Sequence, residues 1–594
     1  MNQMRFSLNS GESRGNGNKR TKHDSDDDDI TEIVRIDDSD SDSENENISR
    51  KIKQKQVDSI VIPDDATPST SRQAMQSGSV SSKSEAASSS TDKMLSLVTE
   101  FIIEDLHTTS IVKDSGFKKL ISTLKPDAVL PSQDDILNHI LLLYGIERSN
   151  LLVQLHSIEN ISIAIERWTS FTENTYATVK ANFINDDFEP QSYVLATVQL
   201  GNTNSFGLLN DKVIEVLKHW EIEKKVVSTV YDWYRPPVDF LSPCQYQELG
   251  KKMCCFALKL QTAIDNSLNS IPEIKAIIEK CNQLVSYFLH NNVAEIYLNK
   301  YQNYLDLSCD QLVQAWSDEI NSTYLMLDRL LSQKLAIDSV LRDTDATDAT
   351  QAAELQLNEN EWLIIKEMVA TLKPFQLAKL VLYRVKEHID SVSVVKPMIY
   401  SFCTNFLSPN NEINPVPLLK QRIKEDLLTK FQLYVGENEM TAPDYFDIAT
   451  YLDPRYKKQE YMSDENRETV KQYIHDVYFA KNETTSSGKP SKWAISSKAL
   501  SILFPSAPNE SESECLRYHN EPEIDKNLSP HKWWKLHESK YPILTTVAKR
   551  YLCTHSTSKS IFTSRNASLR RKNLSPQIVD KLIFLNHKLK FDII

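Results

Sequence analysis

Glycine is scarce in this chain: only 11 of its 594 residues are glycine, and four of these lie among the first eighty residues. An average composition of about 7% glycine would give several times as many. Loops that cradle phosphates, of the Walker type or of the dinucleotide type, need closely spaced glycines. The sequence therefore excludes both kinds of nucleotide-binding loop.

Zinc-finger spacing and long apolar runs are also missing. The eight cysteines are scattered, and no Cys-x-x-Cys pair is followed by a histidine pair. No apolar run approaches the ~18 residues of a membrane span, and no N-terminal signal segment is recognisable. We therefore expect an intracellular protein with reduced thiols, no cofactor, no metal and no membrane partner.

Negative charge is concentrated in one stretch. The net charge is -13, and between Asp24 and Glu46 twelve acidic residues stand against one arginine, a charge of -11. The remainder is nearly neutral, so no overall attraction to nucleic acid is expected, since such binding depends on many Lys and Arg. A DNA contact needs a local patch, such as Lys559, Arg565 and Arg570 to Lys572; a solvated surface loop is the alternative.

Residues 1–92 are rich in Ser, Asp, Asn and Lys and poor in aromatic residues. Such a composition cannot bury enough apolar surface to offset chain entropy, which predicts a disordered tail. The basic cluster of Lys19, Arg20 and Lys22 fits a nuclear localisation signal, so the nucleus is the expected location. A solvated charge cluster is the alternative.

Two short segments of the tail resemble SUMO-interacting motifs, because β-branched residues favour a strand that adds to a sheet edge and the following acids suit a basic partner. The apolar residues are Ile33, Val34 and Ile36 in the first segment and Ile60, Val61 and Ile62 in the second. SUMO or a sumoylated protein is thus a predicted partner. Chance occurrence of so short a pattern is the alternative.

The folded part begins near Met94, where apolar residues recur at helical spacing, and residues 93–155 are predicted to be helical. Residues 156–245 then show three strand patterns, a helix and another strand, which are Ile161 to Ile165, Tyr176 to Ile184, Ser192 to Leu200, Val213 to Trp220 and Val226 to Val230. Residues 246–505 follow helical periodicity and predict a large all-α insertion.

Three strands, a helix and a fourth strand are the order of a ribonuclease-H-like core, an α+β fold. On that fold, carboxylates at the ends of the first and fourth strands hold two metal ions for phosphoryl transfer. Those positions hold Glu166 and Asp232 here. Acidic residues after strands are common, so a strand-end or fold-supporting role is the alternative.

The C-terminal segment 515–594 carries an ordered set of residues: Trp533-Trp534, Tyr541-Pro542-Ile543-Leu544, Tyr551-Leu552 and Leu582-Ile583-Phe584-Leu585-Asn586. This set resembles the C-terminal dimerisation region of hAT transposases. Four further stretches agree in order, namely Ile111-Val112-Lys113-Asp114-Ser115-Gly116-Phe117 leading to Leu130-Pro131-Ser132, Trp168-Thr169-Ser170, Asn321-Ser322-Thr323-Tyr324-Leu325-Met326-Leu327 and Tyr451-Leu452-Asp453-Pro454-Arg455-Tyr456. The chain is most similar to the branch with BED-finger proteins and DNA-replication-element-binding factors.

The resemblance implies a ribonuclease-H-like core that is interrupted by the helical insertion and completed by residues 515–594. It also implies self-association, as a homodimer or a higher oligomer. We predict that Trp533, Trp534, Tyr541 and Phe584 form much of the apolar C-terminal face, because aromatic residues bury large areas in interfaces and in cores. An intramolecular core is the alternative for these four side chains.

Departures from the family pattern affect the catalytic and DNA-binding positions. Glu166 stands where the family has Asp, and the third acidic position falls at Lys559, whose charge would repel metal ions. Residues 1–93 contain no cysteine, so the BED finger of the relatives is missing. Losing one member of a catalytic set can abolish most of the rate, so we expect a protein that is not an enzyme.

These patterns predict a non-catalytic, domesticated hAT transposase that acts in the nucleus as a dimeric, DNA- or chromatin-associated transcription regulator. One alternative is a SUMO-binding nuclear adaptor without direct DNA contact. The other is an active DNA transposase, which requires a third acid beside Glu166 and Asp232.

Overall fold

The structure, a computed structural model, describes residues 82–170, 174–201, 205–232, 246–315, 321–382, 391–409, 412–433, 442–479, 510–558 and 575–593. All of them belong to one unit, Ser81–Ile594. The predicted localisation and SUMO-interacting motifs lie outside the described residues.

Three helices precede the sheet: α1 (Ser82–Glu104), α2 (Ser115–Leu124) and α3 (Gln133–Ser157), with a 3-10 turn at Thr109–Lys113. A capping box starts α3, because the Ser132 side chain accepts from the backbone N–H of Asp135 and the Asp135 carboxylate accepts from that of Ser132. The first helix begins at Ser82 and so crosses the predicted boundary between residues 92 and 93. The predicted disordered tail, residues 1–92, therefore extends too far toward the C-terminus.

The sheet has five strands in the order β3-β2-β1-β4-β5. They are β1 (Ile161–Thr169), β2 (Thr175–Ile184), β3 (Pro190–Gln199), β4 (Val226–Tyr231) and β5 (Lys251–Cys254), and helix α4 (Phe206–His219) connects β3 to β4. The first three strands are antiparallel, whereas β4 pairs in parallel with β1 and β5 in parallel with β4. The predicted order of three strands, a helix and a strand is confirmed.

The fifth strand corrects the predicted boundary at residue 245, because β5 belongs to the sheet and not to the helical region that follows. Its four residues, two of them lysine, are too short and too polar to stand out as a strand in the sequence. Gly250 allows β5 to approach β4 after the 3-10 turn Gln247–Leu249. Its φ is +57°, and a Cβ atom there would lie 2.5 Å from the carbonyl carbon of Val227.

The described residues between β5 and residue 479 form helices and turns, apart from an isolated bridge between Ser391 and His555. The helices are α5 (Phe256–Ser270), α6 (Pro272–His290), α7 (Asn292–Tyr304), α8 (Ser322–Ser332), α9 (Lys334–Arg342), α10 (Ala349–Leu355), α11 (Glu359–Leu382), α12 (Val395–Ser401), α13 (Val416–Phe431), α14 (Tyr445–Tyr451) and α15 (Asp464–Ile474), with a 3-10 turn at Val392–Val394 and π-helical turns at Phe402–Phe406 and His475–Phe479. In the part of the chain that is described, no helix is both long and apolar enough to span a membrane.

The C-terminal part contains α16 (Glu510–Asn520), α17 (Pro530–His537), α18 (Pro542–Leu552) and α19 (Pro576–Ile593). The apolar side chains of α16 to α18 join the core of the helical region. Those of α19 instead join the core formed by one sheet face and the N-terminal helices. The Asn586 amide fixes α19 to the end of α1 by donating to the carbonyls of Ile103 and Glu104, both at 2.7 Å.

Candidate functional site

The carboxyl end of β4 lies beside the middle of β1, which continues past Glu166 to Thr169, so Glu166 does not stand at the end of the first strand as predicted. Ile165 is opposite Tyr231 in the parallel register, and the backbone N–H of Asp232 donates to the carbonyl of Ile165 at 2.9 Å. Because successive side chains alternate between the faces of a strand, Glu166 and Asp232 project from the same face. The structure thus brings together the two acidic residues that the sequence singled out.

Glu166 is paired with a lysine from the neighbouring strand. The ammonium of Lys180, on β2, lies 3.7 Å from the Glu166 carboxylate, and both side chains are buried. Lys180 stands opposite Ala164 in the antiparallel register, two residues along β2 from Thr178, the residue opposite Glu166. A diagonal neighbour of this kind is within reach of a long side chain, so the strand pairing itself places the cation beside the carboxylate.

C-terminal residues surround the same pair. The Lys180 ammonium donates to the carbonyl of Ser558 at 2.6 Å, so this cation links β1, β2 and the segment after α18. His587, on α19, is buried nearby, and burial together with the positive charge of Lys180 lowers the pKa of its imidazole to about 3. The His587 imidazole is therefore neutral at physiological pH, and the cation of this group is the Lys180 ammonium.

A chain of buried hydroxyl groups fixes the segment after α18 to the sheet. The Ser228 hydroxyl, on β4, donates to the Ser162 hydroxyl at 2.9 Å and lies 2.7 Å from the hydroxyl of Thr554. Thr554 in turn contacts the Tyr445 hydroxyl at 2.9 Å. The backbone N–H of Phe256 also donates to the carbonyl of Ser556. Residues 554–558 are thus held against the strand ends by paired polar groups, as buried groups require.

The negative charge of Asp232 also acts on a neighbouring thiol. Cys255 lies where its backbone N–H donates to the carbonyl of Tyr231 at 2.9 Å. Burial, and then the Asp232 carboxylate, raise the pKa of the Cys255 thiol. A raised pKa keeps the sulfur protonated, and a protonated thiol is a poor nucleophile and a poor metal ligand.

A two-metal site for phosphoryl transfer needs several carboxylates whose charge is available to the ions. Here the Lys180 ammonium already balances the charge of Glu166, and the Cys255 thiol beside Asp232 stays neutral. Within the described ranges no group of three or more His, Cys, Asp or Glu is arranged to hold a metal ion. The third predicted position, Lys559, lies outside the described residues. The described residues fit a buried ion pair and do not fit paired divalent cations.

The aromatic residues of α17 and α18 that we predicted to form much of the apolar C-terminal face pack in an intramolecular cluster, which was the alternative for these side chains. Trp534 and Tyr541 are fully buried, and Trp533 is partly buried against them. The Trp534 indole N–H donates to the carbonyl of Leu452 at 2.8 Å, and its ring stacks on Tyr518 at 5.1 Å. The Trp534 ring can be buried here because its indole N–H finds a hydrogen-bond acceptor, the carbonyl of Leu452, directly after α14.

Phe584 is also buried within the chain, at a different place. Its ring meets Tyr144 of α3 edge-on at 5.0 Å and stacks on Trp220 at 6.2 Å. It belongs to the core beneath the N-terminal helices and not to the aromatic cluster of α17 and α18. The four aromatic residues therefore serve two separate intramolecular cores.

Lys180 and His587 were not identified from the sequence. Lys180 is the only charged residue of β2, in the otherwise apolar or small-polar run Thr175–Ile184, and β2 is buried along almost its whole length. A charge in such a strand needs a partner, which is the signal that could have identified it. His587 has no comparable signal, because only the tertiary structure brings α19 to Lys180.

Three protein-family profiles match consecutive parts of the chain. The ZBED1 RNase-like domain matches residues 164–239, the ZBED1 RNase-like helical domain matches residues 253–371, and the hAT family C-terminal dimerisation region matches residues 511–589. The first match contains the second half of β1 and all of β2 to β4, with Glu166 and Asp232. The third contains the aromatic cluster and most of α19.

Similar whole proteins include both regulators and transposases. Zinc finger BED domain-containing protein 4 from Homo sapiens is 22% identical over 83% of this chain and 43% of its own length. A putative transcriptional regulator, tpeD, from Talaromyces stipitatus is 22% identical over 78% of this chain and 58% of its own. A putative AC transposase from Zea mays is 22% identical over 80% of this chain and 62% of its own.

The chain therefore spans about half of the length of these relatives, from 43% to 62%. Three different profiles match in the order expected of one protein type, and relatives from an animal, a fungus and a plant align over most of the chain. Together the comparisons support a hAT-derived protein similar to the ZBED proteins.

Proposed function

We propose that this chain is a hAT-transposase-derived nuclear protein that does not cut DNA and that acts as a self-associating, DNA- or chromatin-associated transcription regulator. The single observation that carries the proposal is the buried ion pair between Glu166 and Lys180. A carboxylate that must bind divalent cations would gain nothing from a fixed internal cation within 4 Å, because like charges repel.

The Lys180 ammonium makes a second buried contact, which favours a permanent ion pair with Glu166. It also donates to the carbonyl of Ser558, so withdrawing it from Glu166 would also break this buried hydrogen bond. Removing one partner of a buried pair is strongly destabilising. The ion pair is therefore part of the folded core, and a metal ion would have to displace it.

The other parts of the proposal rest on similarity. The match to the hAT dimerisation region supports self-association. One relative is named a putative transcriptional regulator and another a putative transposase. Since regulators and transposases both act on chromosomal DNA, we place the chain in the nucleus and give it a role on DNA without strand transfer.

A strand-cleavage assay tests the catalytic part of the proposal. The full chain and its Asp232→Asn variant are incubated with supercoiled plasmid and with duplex oligonucleotides, in Mg²⁺ and in Mn²⁺. We expect the same background nicking from both proteins, because the buried ion pair of Glu166 with Lys180 leaves Asp232 without a second free carboxylate for a two-metal site. An added hAT transposase of known activity serves as the positive control for the buffers.

Turnover by the natural chain that Asp232→Asn abolishes would overturn the proposal and favour an active transposase, for which the adjacent positions of Glu166 and Asp232 are the supporting observation. Retention of the full chain on DNA at rising salt tests the other part. Binding through phosphate contacts weakens steeply with salt, whereas an adaptor without DNA contact is not retained at any salt concentration.

A further inference from the structure

Helix α2 lies on the surface of the described chain, and none of its ten residues is buried. It is anchored mainly by Phe117, whose ring stacks on that of Phe101 of α1 at 5.7 Å. Ile121, one turn later, is half-buried. A helix held along one side by so few apolar contacts leaves its other side open to a partner.

The open side of α2 consists of hydrogen-bond donors. At about 100° per residue, Ser115, Lys118, Lys119 and Ser122 fall within one arc that lies roughly opposite Phe117. All four side chains are exposed. The helix contains no Asp or Glu. This face therefore presents cations and hydroxyl groups without a carboxylate among them.

Two further lysines extend the positive charge beyond both ends of α2. Lys113 ends the 3-10 turn before the helix and Lys125 follows its last residue, and both are exposed. Together with Lys118 and Lys119 they form what we call the α2 patch. Residues 113–125 contain these four lysines and one acid, Asp114, a charge of +3.

The cations of the α2 patch have no counter-ion in the part of the chain that the structure describes. None of the four ammonium groups has a carboxylate oxygen within 4.0 Å there. Lysines of other helices are commonly paired, such as Lys334 with Glu359 at 2.8 Å and Lys549 with Asp186 at 3.5 Å. Unpaired cations that are grouped on one surface attract an external anion, whereas internally paired ones leave little field outside the protein.

We propose that the α2 patch binds the phosphate backbone of duplex DNA. The inference rests on the DNA association in the proposed function and names its surface. Lysine and serine side chains are among the groups that contact phosphate. Duplex DNA carries one charge per ~1.7 Å of its axis, so the ~15 Å length of α2 passes about nine phosphates, more than the four lysines need.

The composition of the open side favours DNA over an acidic protein surface. Leu120 and Leu124 are 54% and 73% exposed, but they lie on the same side of the helix as Phe117 and not among the lysines. The centre of a protein–protein interface is depleted in lysine, whereas protein–DNA interfaces are strongly positive. Since phosphate contacts carry no sequence information, we expect binding that depends on salt and not on base sequence.

Fluorescence anisotropy of the full chain with a labelled DNA duplex, measured over a range of salt concentrations, tests the proposal. The quadruple variant carries Lys113→Gln, Lys118→Gln, Lys119→Gln and Lys125→Gln. Each lost phosphate contact lowers the slope of log affinity against log salt by about 0.9, so we expect a slope smaller by about 3–4 and a dissociation constant at least ~10-fold higher at ~100 mM salt.

A matched control removes the same charge from another part of the chain. Lys275→Gln, Lys300→Gln, Lys366→Gln and Lys373→Gln change exposed positions of α6, α7 and α11, helices that pack in the core of the helical region. The control is expected to keep the natural slope. Residues 1–80 are identical in all three proteins, so the basic residues of that segment contribute equally.

The outcomes separate the α2 patch from the proposed function. If the natural chain binds DNA and the quadruple variant keeps its slope, the α2 patch is refuted and DNA association stands. An equal loss in the control also refutes the patch, because net charge would then decide binding. If the natural chain does not bind the duplex even at ~50 mM salt, where phosphate contacts are strong, the patch and the DNA association both fail, and an acidic protein becomes the occupant.

A second measurement uses the natural chain alone and so does not depend on how the variants fold. Its lysines are acetylated with an N-hydroxysuccinimide ester, with and without the duplex, and the products are read by mass spectrometry. Lys118 and Lys119 should react at least ~3-fold more slowly when phosphates cover them, whereas Lys366 should react equally in both samples. Equal acetylation of Lys118 and Lys119 with and without DNA would contradict a phosphate contact at α2.

Discussion

Removing the Lys180 cation is the most direct test of the ion pair. In Lys180→Met the Glu166 carboxylate stays buried, at 1% exposure, without its partner and without the link to Ser558. Breaking one half of a buried pair costs about 3–5 kcal/mol. That is a large part of the ~5–15 kcal/mol that holds a typical domain folded. We expect β1 and β2 to open far more often in this variant.

Hydrogen exchange read by mass spectrometry reports on those strands separately from the rest of the chain. Peptides covering residues 161–184 should exchange roughly 10²- to 10⁴-fold faster in Lys180→Met, since about 1.4 kcal/mol corresponds to a factor of ten. Lys224→Met, which removes an exposed lysine, is the matched control and should change exchange little.

The double variant Lys180→Met with Glu166→Leu should recover most of the protection, because replacing a buried pair by apolar residues of similar size is often neutral. Unchanged exchange in Lys180→Met at pH 7 would refute the assignment of the pair.

Two further predictions follow from the C-terminal contacts. Trp534→Ala removes a fully buried ring and its hydrogen bond to Leu452, so it should lower the free energy of unfolding by about 3–5 kcal/mol without changing the dimer mass. Leu536→Ala, at an exposed position, should change neither quantity in the same thermal unfolding and mass measurements. Loss of the dimer without loss of stability would instead show that the aromatic cluster is an interface. The pKa of His587 is lowered from 6.5 to about 3, so as the pH falls the imidazole of the unfolded chain is protonated before that of the folded chain. The free energy of unfolding should therefore fall by about 2 kcal/mol as the pH drops from 6.5 to 5. A His587→Gln chain should lack this part of the pH dependence, and identical pH profiles of the two chains would contradict the burial of a neutral imidazole.

Local patterns were sufficient for the first four strands of the sheet. The period-two and β-rich runs from Ile161 to Val230 give the right elements in the right order because strands with a buried face must alternate. The strand β5 was not predicted, because its four residues begin with two lysines and show no alternation of apolar and polar side chains. Its place depends on Gly250 and on the parallel edge of β4.

The sequence predicted the two acidic residues of the candidate site but not the charged and polar groups around them. The strand patterns identified Glu166 and Asp232 as neighbours on parallel strands, although β1 continues past Glu166 to Thr169. The charge environment was not predictable, because Lys180 is fourteen residues from Glu166 in sequence and meets it only through the antiparallel register of β1 and β2. Ser558 and His587 reach the same point from the other end of the chain.

The amino-acid sequence alone determined the class of the protein and the two acidic residues of the candidate site, because composition, periodicity and motif order are properties of local chain segments. Only the tertiary structure decided what those residues do. It gave Glu166 a lysine as its counter-ion, and it placed the C-terminal aromatic residues in intramolecular cores. The reason is that charge balance and burial depend on neighbours that are distant in sequence, and no local pattern records which neighbours the fold will supply.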